Sequence, residues 1–554
     1  MFTPGTRHGR AVVLAAAAAL AAGSLGGCTQ KKPEAAAEDP AARADLRVFY
    51  SQQLRWEPCG EEECATLKVP MDYSAPDNGR TFTLPLIRVT ATDPARRVGS
   101  LVFNPGGPGE SGVALLQDGG AAAFSERLRA RFDIVGFDPR GVAGSEPAVD
   151  CGAEDEGENE ADTETRADPE TGTDTDPEPG TDTDAETGTV TDADDAEPQP
   201  LHPATDEQRS AALAAAESVT AACERHSGAI LPHVGTVDAA RDLDVLRAAL
   251  GDGELSYLGW SYGTSLGTAY GELFPRRVRA MVLDGAIDPS LDWSERARSQ
   301  AAGFRAAVDD YAEHCADVAG DACPADTPAG IRELLDDLYE RTAEEPLPVD
   351  DAEWGLDALT LHSAVVASMY TPEEQWETLS QGLGEAAAGD GTSLAAIAAG
   401  EEGEGEGGDD VEEQEVHPDN SDVAITAVNC VDIPHPKNPE EYWKALDQAH
   451  LAEGDFGSES VVAALDCKGW PQRGPGPHRA TGDGLPPVLV VGTTGDPATP
   501  YHEARSLARQ LPGAMLLTFE GRGHTAYGRG GSCVDDAVDG YLIDLTPVKP
   551  GTTC

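Results

Sequence analysis

Short runs that are apolar at nearly every position recur along the chain, separated by longer stretches whose apolar residues return every three or four places. The runs Thr81–Thr90, Ser100–Asn104, Phe132–Phe137, Leu255–Gly259, Ala280–Asp284, Pro487–Gly492 and Met515–Phe519 predict strands. Several lack the polar alternation of a half-exposed strand, as expected where both faces are covered. Between them, Asp206–Arg225, Thr236–Leu250, Thr264–Phe274 and Tyr501–Gln510 predict helices. Strand and helix in alternation predict an α/β fold, a mainly parallel sheet with helices on both faces. From Asp288 to about Pro486 the strand signal gives way to helical segments such as Trp293–Val318 and Ile331–Ala343. These predict a mostly helical cap, 288–486, inserted between a first core part, 46–287, and a second, 487–554.

Charge changes this picture in two places. Lys and Arg number 39 against 99 Asp and Glu, a net charge of -60. A surface so acidic excludes nucleic acid as a default partner and disfavours adsorption to anionic lipid. Residues 152–200 carry 19 acidic side chains and one base, Arg166, and residues 401–415 carry nine acidic side chains and no base. Neither stretch has the apolar residues to offset the entropy of ordering, so both are expected to be disordered insertions. Calcium binding is the alternative, but no ligand spacing with a turn glycine supports it.

The N-terminus predicts export. Arg7, His8 and Arg10 precede the apolar Ala11–Ala22, followed by Leu25-Gly26-Gly27-Cys28. A basic start, a short apolar run and small residues before a cut describe a secretory signal over 1–27. Its ending resembles a bacterial lipobox, which implies lipidation of Cys28; the alternative is an ordinary signal with a coincidental cysteine. Residues 28–45 would then be a flexible tether. The expected location is the extracellular face of the cell membrane, held by the lipid alone, with release from it as a variant. Removing Cys28 from 11 cysteines leaves ten, an even number in a compartment where disulfides persist. Spacing suggests the pairs Cys59–Cys64, Cys151–Cys223, Cys315–Cys323, Cys430–Cys467 and Cys533–Cys554. The second would staple the longer acidic stretch at its base. No cysteine or histidine spacing fits zinc, and no metal site is expected.

The chemistry gathers at four strand ends. Leu255–Gly259 runs into Gly259-Trp260-Ser261-Tyr262-Gly263 and then a helix. A Gly-x-Ser-x-Gly sequence between strand and helix makes a turn so sharp that only small residues fit two places either side. Ser261 is therefore the expected nucleophile. Two later strands end in Gly495-Asp496-Pro497 and in Gly523-His524-Thr525, giving an acid and a base in the order Ser261, Asp496, His524. Asp284, ending its own strand, is the competing acid. The loop Asn104-Pro105-Gly106-Gly107-Pro108-Gly109 follows another strand and can expose amide N–H groups to an oxyanion. Gly107 is the expected donor there, and Tyr262 the second.

These motifs carry a resemblance. Pro105–Gly109 resembles the His-Gly-Gly-Pro-Gly loop of proline iminopeptidases, with Pro105 in place of the histidine. Asp138-Pro139-Arg140-Gly141-Val142-Ala143-Gly144-Ser145 is similar to their Asp-x-Arg-Gly-x-Gly-x-Ser segment, its second glycine one place later. With Gly492/Gly495-Asp496-Pro497-Ala498-Thr499-Pro500, Gly523-His524 and the stretch Ala424–Asp432, the set is most similar to the secreted tripeptidyl aminopeptidase branch of actinobacteria. The likeness covers 46–554 apart from the acidic stretches. It implies an α/β-hydrolase fold and an exopeptidase releasing short peptides, tripeptides foremost, from free N-termini; the triad chemistry requires no cofactor, and a monomer is expected. It also implies anionic cap residues that bind the substrate ammonium, with Glu295, Asp309, Asp310 and Asp432 as candidates. Two rival readings stand beside it: an esterase on the same triad, and a catalytically silent surface binding protein.

Overall fold

The computed structural model describes residues 43–152, 200–319, 323–350, 352, 354–400 and 420–554. The signal, Cys28, most of the tether and nearly all of both acidic stretches lie outside the described residues. Val48–Cys554 form one compact unit.

Ten strands build the main sheet: β1 (Glu57–Cys59), β2 (Glu62–Pro70), β3 (Thr81–Val89), β4 (Gly99–Asn104), β5 (Phe132–Phe137), β6 (Leu255–Trp260), β7 (Val278–Asp284), β10 (Leu489–Gly495), β11 (Met515–Arg522) and β12 (Thr552–Thr553). β8 (Leu347–Pro348) and β9 (Gly355–Leu356) form a separate two-stranded ribbon in the cap. The sheet order is β1-β2-β3-β5-β4-β6-β7-β10-β11-β12. β1, β2 and β3 run antiparallel up to β5, and every pair from β5 to β12 is parallel. All seven expected strands are present. The β1–β2 hairpin, β12 and the ribbon were not expected, although Ala65, Leu67 and Val69 of β2 alternate buried with exposed neighbours.

β4 and β5 are buried at every position, which explains their unbroken apolar runs. One face packs Phe103, Ile134, Leu258, Val282 and Val491 against Val534, Val538 and Leu542 of the C-terminal helix Gly531–Asp544. Helices Trp293–His314, Pro328–Glu344, Ala358–Ala367 and Pro372–Ala388 form the cap's own core around Phe304, Tyr311, Leu335, Leu361 and Leu379. Helix Asp206–Ser227 lies within the expected first core part. It buries Ala212 and Ala216 against Tyr442, Trp443 and Leu446 of cap helix Pro439–Glu453. The helical layer therefore draws on two stretches of the chain.

All five expected disulfides are formed, Cys151–Cys223 closing a separation of 72 residues. No helix among the described residues is long and apolar enough to cross a membrane.

Candidate active site

Parallel neighbours β4, β6, β7, β10 and β11 end at the same edge, where open α/β sheets place their sites. Ser261 stands between β6 and helix Tyr262–Leu273 with φ 52° and ψ -121°. A side-chain-bearing residue occupies this left-handed region only when its surroundings hold it there. Here they do. The Ser261 N–H donates to Asp284 O at 2.9 Å, and its carbonyl accepts the Thr264 N–H and hydroxyl at 2.8 and 2.6 Å. A Cβ on Gly259 would fall 2.4 Å from Gly263 O, and one on Gly263 2.7 Å from Asn104 O. The two glycines are what let strand and helix close to this distance.

Asp496, 3% exposed, follows β10. Its Oδ1 accepts N–H groups of Ala498 and Thr499 at 3.1 and 2.8 Å, and its Oδ2 that of Thr525 at 3.2 Å. His524 Nδ1 lies 2.9 and 3.1 Å from the two carboxylate oxygens. The Thr499 hydroxyl is 3.4 Å from the same nitrogen. His524 Nε2 is buried with no hydrogen-bond partner. Its ring carbon Cε1 would stand 3.1 Å from a Cβ on Gly285, the residue after Asp284. The Ser261 backbone and the His524 ring thus each touch the corner Asp284–Gly285.

Asp284 has a different task. Its carboxylate accepts N–H groups of Ala526 and Tyr527 at 2.8–3.1 Å, fixing the turn that carries His524. Burial pushes this carboxyl up from its ordinary range. It makes no contact with the imidazole that rivals Asp496.

The loop after β4 backs onto the serine turn through Gly106. A Cβ there would lie 2.9 Å from Trp260 O, 3.0 Å from Ser261 Cβ and 3.4 Å from Tyr262 N. Gly107, at φ +94°, leaves no room for a side chain against the amides of Gly109 and Glu110. The segment Asp138–Ser145 supports this region structurally. Asp138 accepts the Ser111 hydroxyl at 2.6 Å and the Val113 N–H at 3.2 Å, holding the start of the helix that follows the loop. Arg140, fully buried, forks onto Asp242 at 2.6 and 2.7 Å.

Two cap elements reach the site. Tyr370 O accepts the His524 N–H at 2.9 Å, and its ring meets the imidazole edge-on at 5.3 Å. Arg529 donates to the carbonyls of Arg522 and His524 and to Glu373 of the cap at 2.7, 3.2 and 3.0 Å. Neither residue has a motif that would mark it in the sequence.

Two neighbouring cavities share Arg296, and the larger of them reaches Tyr262. One, about 470 Å³, is lined by Tyr262, Ser265, Ile287, Leu291, Arg296 and Asp432 among others. A second, about 260 Å³, is lined by Trp293, Arg296, Ile425, His435 and Glu459 among others. Of the acids expected to meet an ammonium group, Glu295 closes a capping box with Asp292, Asp309 pairs with Arg332, and Asp310 with Arg522. Asp432 lines the larger cavity. Glu459, which the sequence did not single out, lines the smaller. Burial pushes its carboxyl up to about 7 and pushes the neighbouring His362, 3.7 Å away, down to about 4. No group of three or more metal-ligating side chains occurs among the described residues.

Comparisons with known proteins agree with this geometry. Residues 99–330 match the family model "alpha/beta hydrolase fold", and 453–554 the model "TAP-like protein". The chain is 36% identical to "Serine protease Hip1" of Mycobacterium tuberculosis H37Rv over 91% of each chain. It is 36% identical to "Carboxylesterase B" of the same strain, over 97% of this chain and 95% of the other. With "Tripeptidyl aminopeptidase" of Streptomyces lividans it shares 32% identity over 90% and 86%. The fold and the site define an α/β-hydrolase. Within that class the chain belongs to the tripeptidyl aminopeptidase branch of the serine hydrolases, as its motifs had implied.

Proposed function

We propose that the protein is an exported, lipid-anchored serine aminopeptidase that releases short peptides, tripeptides foremost, from free N-termini. The observation that carries this reading is the His524–Asp496 pair, its Nε2 buried and unpartnered and its Cε1 beside Gly285, the residue after the one whose carbonyl holds the Ser261 N–H. Export is supported by five disulfides and the signal-like N-terminus, lipid anchoring by the lipobox around Cys28.

The proposed steps are those of a Ser-His-Asp site. Substrate closes Ser261 against His524, whose Nε2 takes the hydroxyl proton as Oγ attacks the scissile carbonyl. Asp496 keeps the other imidazole proton on Nδ1 and stabilises the cation that forms. N–H groups of Gly107 and Tyr262 receive the oxyanion. The imidazolium gives its proton to the leaving amine, and water then hydrolyses the acyl-enzyme by the same base. The ammonium of the substrate pairs with Glu459, whose ionisable neighbour His362 is uncharged well above pH 4.

An esterase reading has one observation in its favour, the carboxylesterase relative at 36% identity. Chromogenic tripeptides with free and acetylated N-termini separate the two. The aminopeptidase cleaves only the free series; equal cleavage of both, with faster turnover of short acyl esters, favours the esterase.

A further inference from the structure

We infer that the cap helix Ser421–Asp432 holds both oxyanion donors in place, with Asp432 a positioning residue that acts on Tyr262 through Thr236; this rests on the serine-peptidase reading above. At its start the helix sits on the oxyanion loop. A Cβ on Gly109 would stand 2.8 Å from Ser421 O and 3.3 Å from Ala424 Cβ, so the loop carries glycine where the helix presses on it. Asn420, one residue earlier, accepts the Ala143 N–H at 2.7 Å and donates to Gly141 O and Val149 O at 3.0 and 2.8 Å.

At its end the helix reaches the other donor. Helix Thr236–Ala249 begins after Gly235, which has no side chain to satisfy the first amides. Asp432 supplies the missing carboxylate from the cap, accepting the Thr236 N–H on both oxygens at 3.0 and 3.1 Å. The Thr236 hydroxyl shares a 2.6 Å hydrogen bond with the Tyr262 hydroxyl, and the ring of Tyr262 is buried. The last turn of the cap helix is itself fixed. Cys430 is bonded to Cys467, and Val431 O accepts the N–H groups of Arg473 and Gly474 at 2.9 and 3.0 Å. One rod of 12 residues therefore bears on Gly109 of the oxyanion loop directly and on the Tyr262 side chain through Thr236, so a shift of the rod acts on loops after two different strands.

The test measures kcat and KM on a free chromogenic tripeptide, and inhibition by the matching tripeptide aldehyde, for Asp432→Asn, Thr236→Val and Tyr262→Phe. Asp422→Asn, exposed in the first turn of the same helix, is the control. Losing a whole oxyanion donor costs on the order of 100- to 1,000-fold in kcat, so displacing one should cost about 10- to 100-fold. The expected result is that loss in kcat with KM within about threefold, equal weakening of the aldehyde, and a double variant of Asp432 and Thr236 no worse than the poorer single one. Unchanged kcat in Thr236→Val and Tyr262→Phe, or a loss carried by KM alone, overturns the inference even if Asp432→Asn fails to fold. Peptidase activity surviving in Ser261→Ala would instead sink the underlying reading.

Discussion

Asp284 and Asp496 divide the histidine turn between them: Asp496 holds the imidazole through Nδ1, and Asp284 holds the backbone of Ala526 and Tyr527, two and three residues on. Both are buried carboxylates at strand ends, and only the direction of their hydrogen bonds separates their tasks. Asp496→Asn should leave the fold intact and lower kcat by about 10⁴-fold, the size seen when a triad acid is replaced. Asp284→Asn should lower the melting temperature first, because the amide puts an NH2 where Oδ1 now accepts the Ala526 N–H and leaves one oxygen for both N–H groups. Activity assays and thermal melts on the two variants distinguish the roles; a large kcat loss with unchanged stability in Asp284→Asn would contradict them.

The serine turn predicts a steric result. A methyl on Gly259 would lie 2.4 Å from Gly263 O, which is backbone and has little freedom to yield. Gly259→Ala should destabilise the fold by about 1–3 kcal/mol, the usual cost of overpacking, and reduce fluorophosphonate labelling. Denaturant melts together with labelling rates check both.

Glu459 predicts a dependence on pH. Its folded carboxyl is raised to about 7, so between roughly pH 4 and 7 the folded protein keeps a proton that the unfolded chain has lost. Its contribution to stability therefore falls as pH rises through that window, and Glu459→Gln should lack the fall. Ammonium binding needs the ionised form, so KM for free-N-terminal tripeptides should drop as pH rises toward about 7. In Glu459→Gln that drop should vanish and KM should rise overall. An identical KM profile in both proteins would remove Glu459 from the substrate site.

The Cys151–Cys223 disulfide closes a separation of 72 residues. By loop entropy such a link is worth about 4 kcal/mol to the folded state. Replacing both cysteines with serine should lower the melting temperature markedly. Activity measured well below the new melting point should stay, because neither residue touches the Ser261, Asp496 or His524 loops.

Much of this was legible from residue order. β4 to β7 and β10 show as apolar runs because both faces are covered, whereas β11 is only partly buried, and Gly259 and Gly263 announce a turn that nothing larger fits. The strand-end placement of Ser261, Asp496 and His524 was readable because each motif follows an apolar run. The partner of Asp206–Ser227 was not, since an amphipathic helix states which face it buries but not against what. Asp432 was visible only as one acid among many. Its task as a capping group in trans depends on Gly235, nearly 200 residues earlier in the chain, and only the fold joins them. Glu459 stood out for the same reason only once its neighbours, the uncharged His362 among them, were in place.

The most direct measurement is peptide mapping by mass spectrometry after brief reaction with a fluorophosphonate, in wild type and in His524→Ala. The account predicts a single phosphonyl adduct on Ser261 in the wild type and labelling slowed by orders of magnitude without the imidazole. An adduct on another residue, or turnover of tripeptides by a protein that takes no adduct at Ser261, would contradict it.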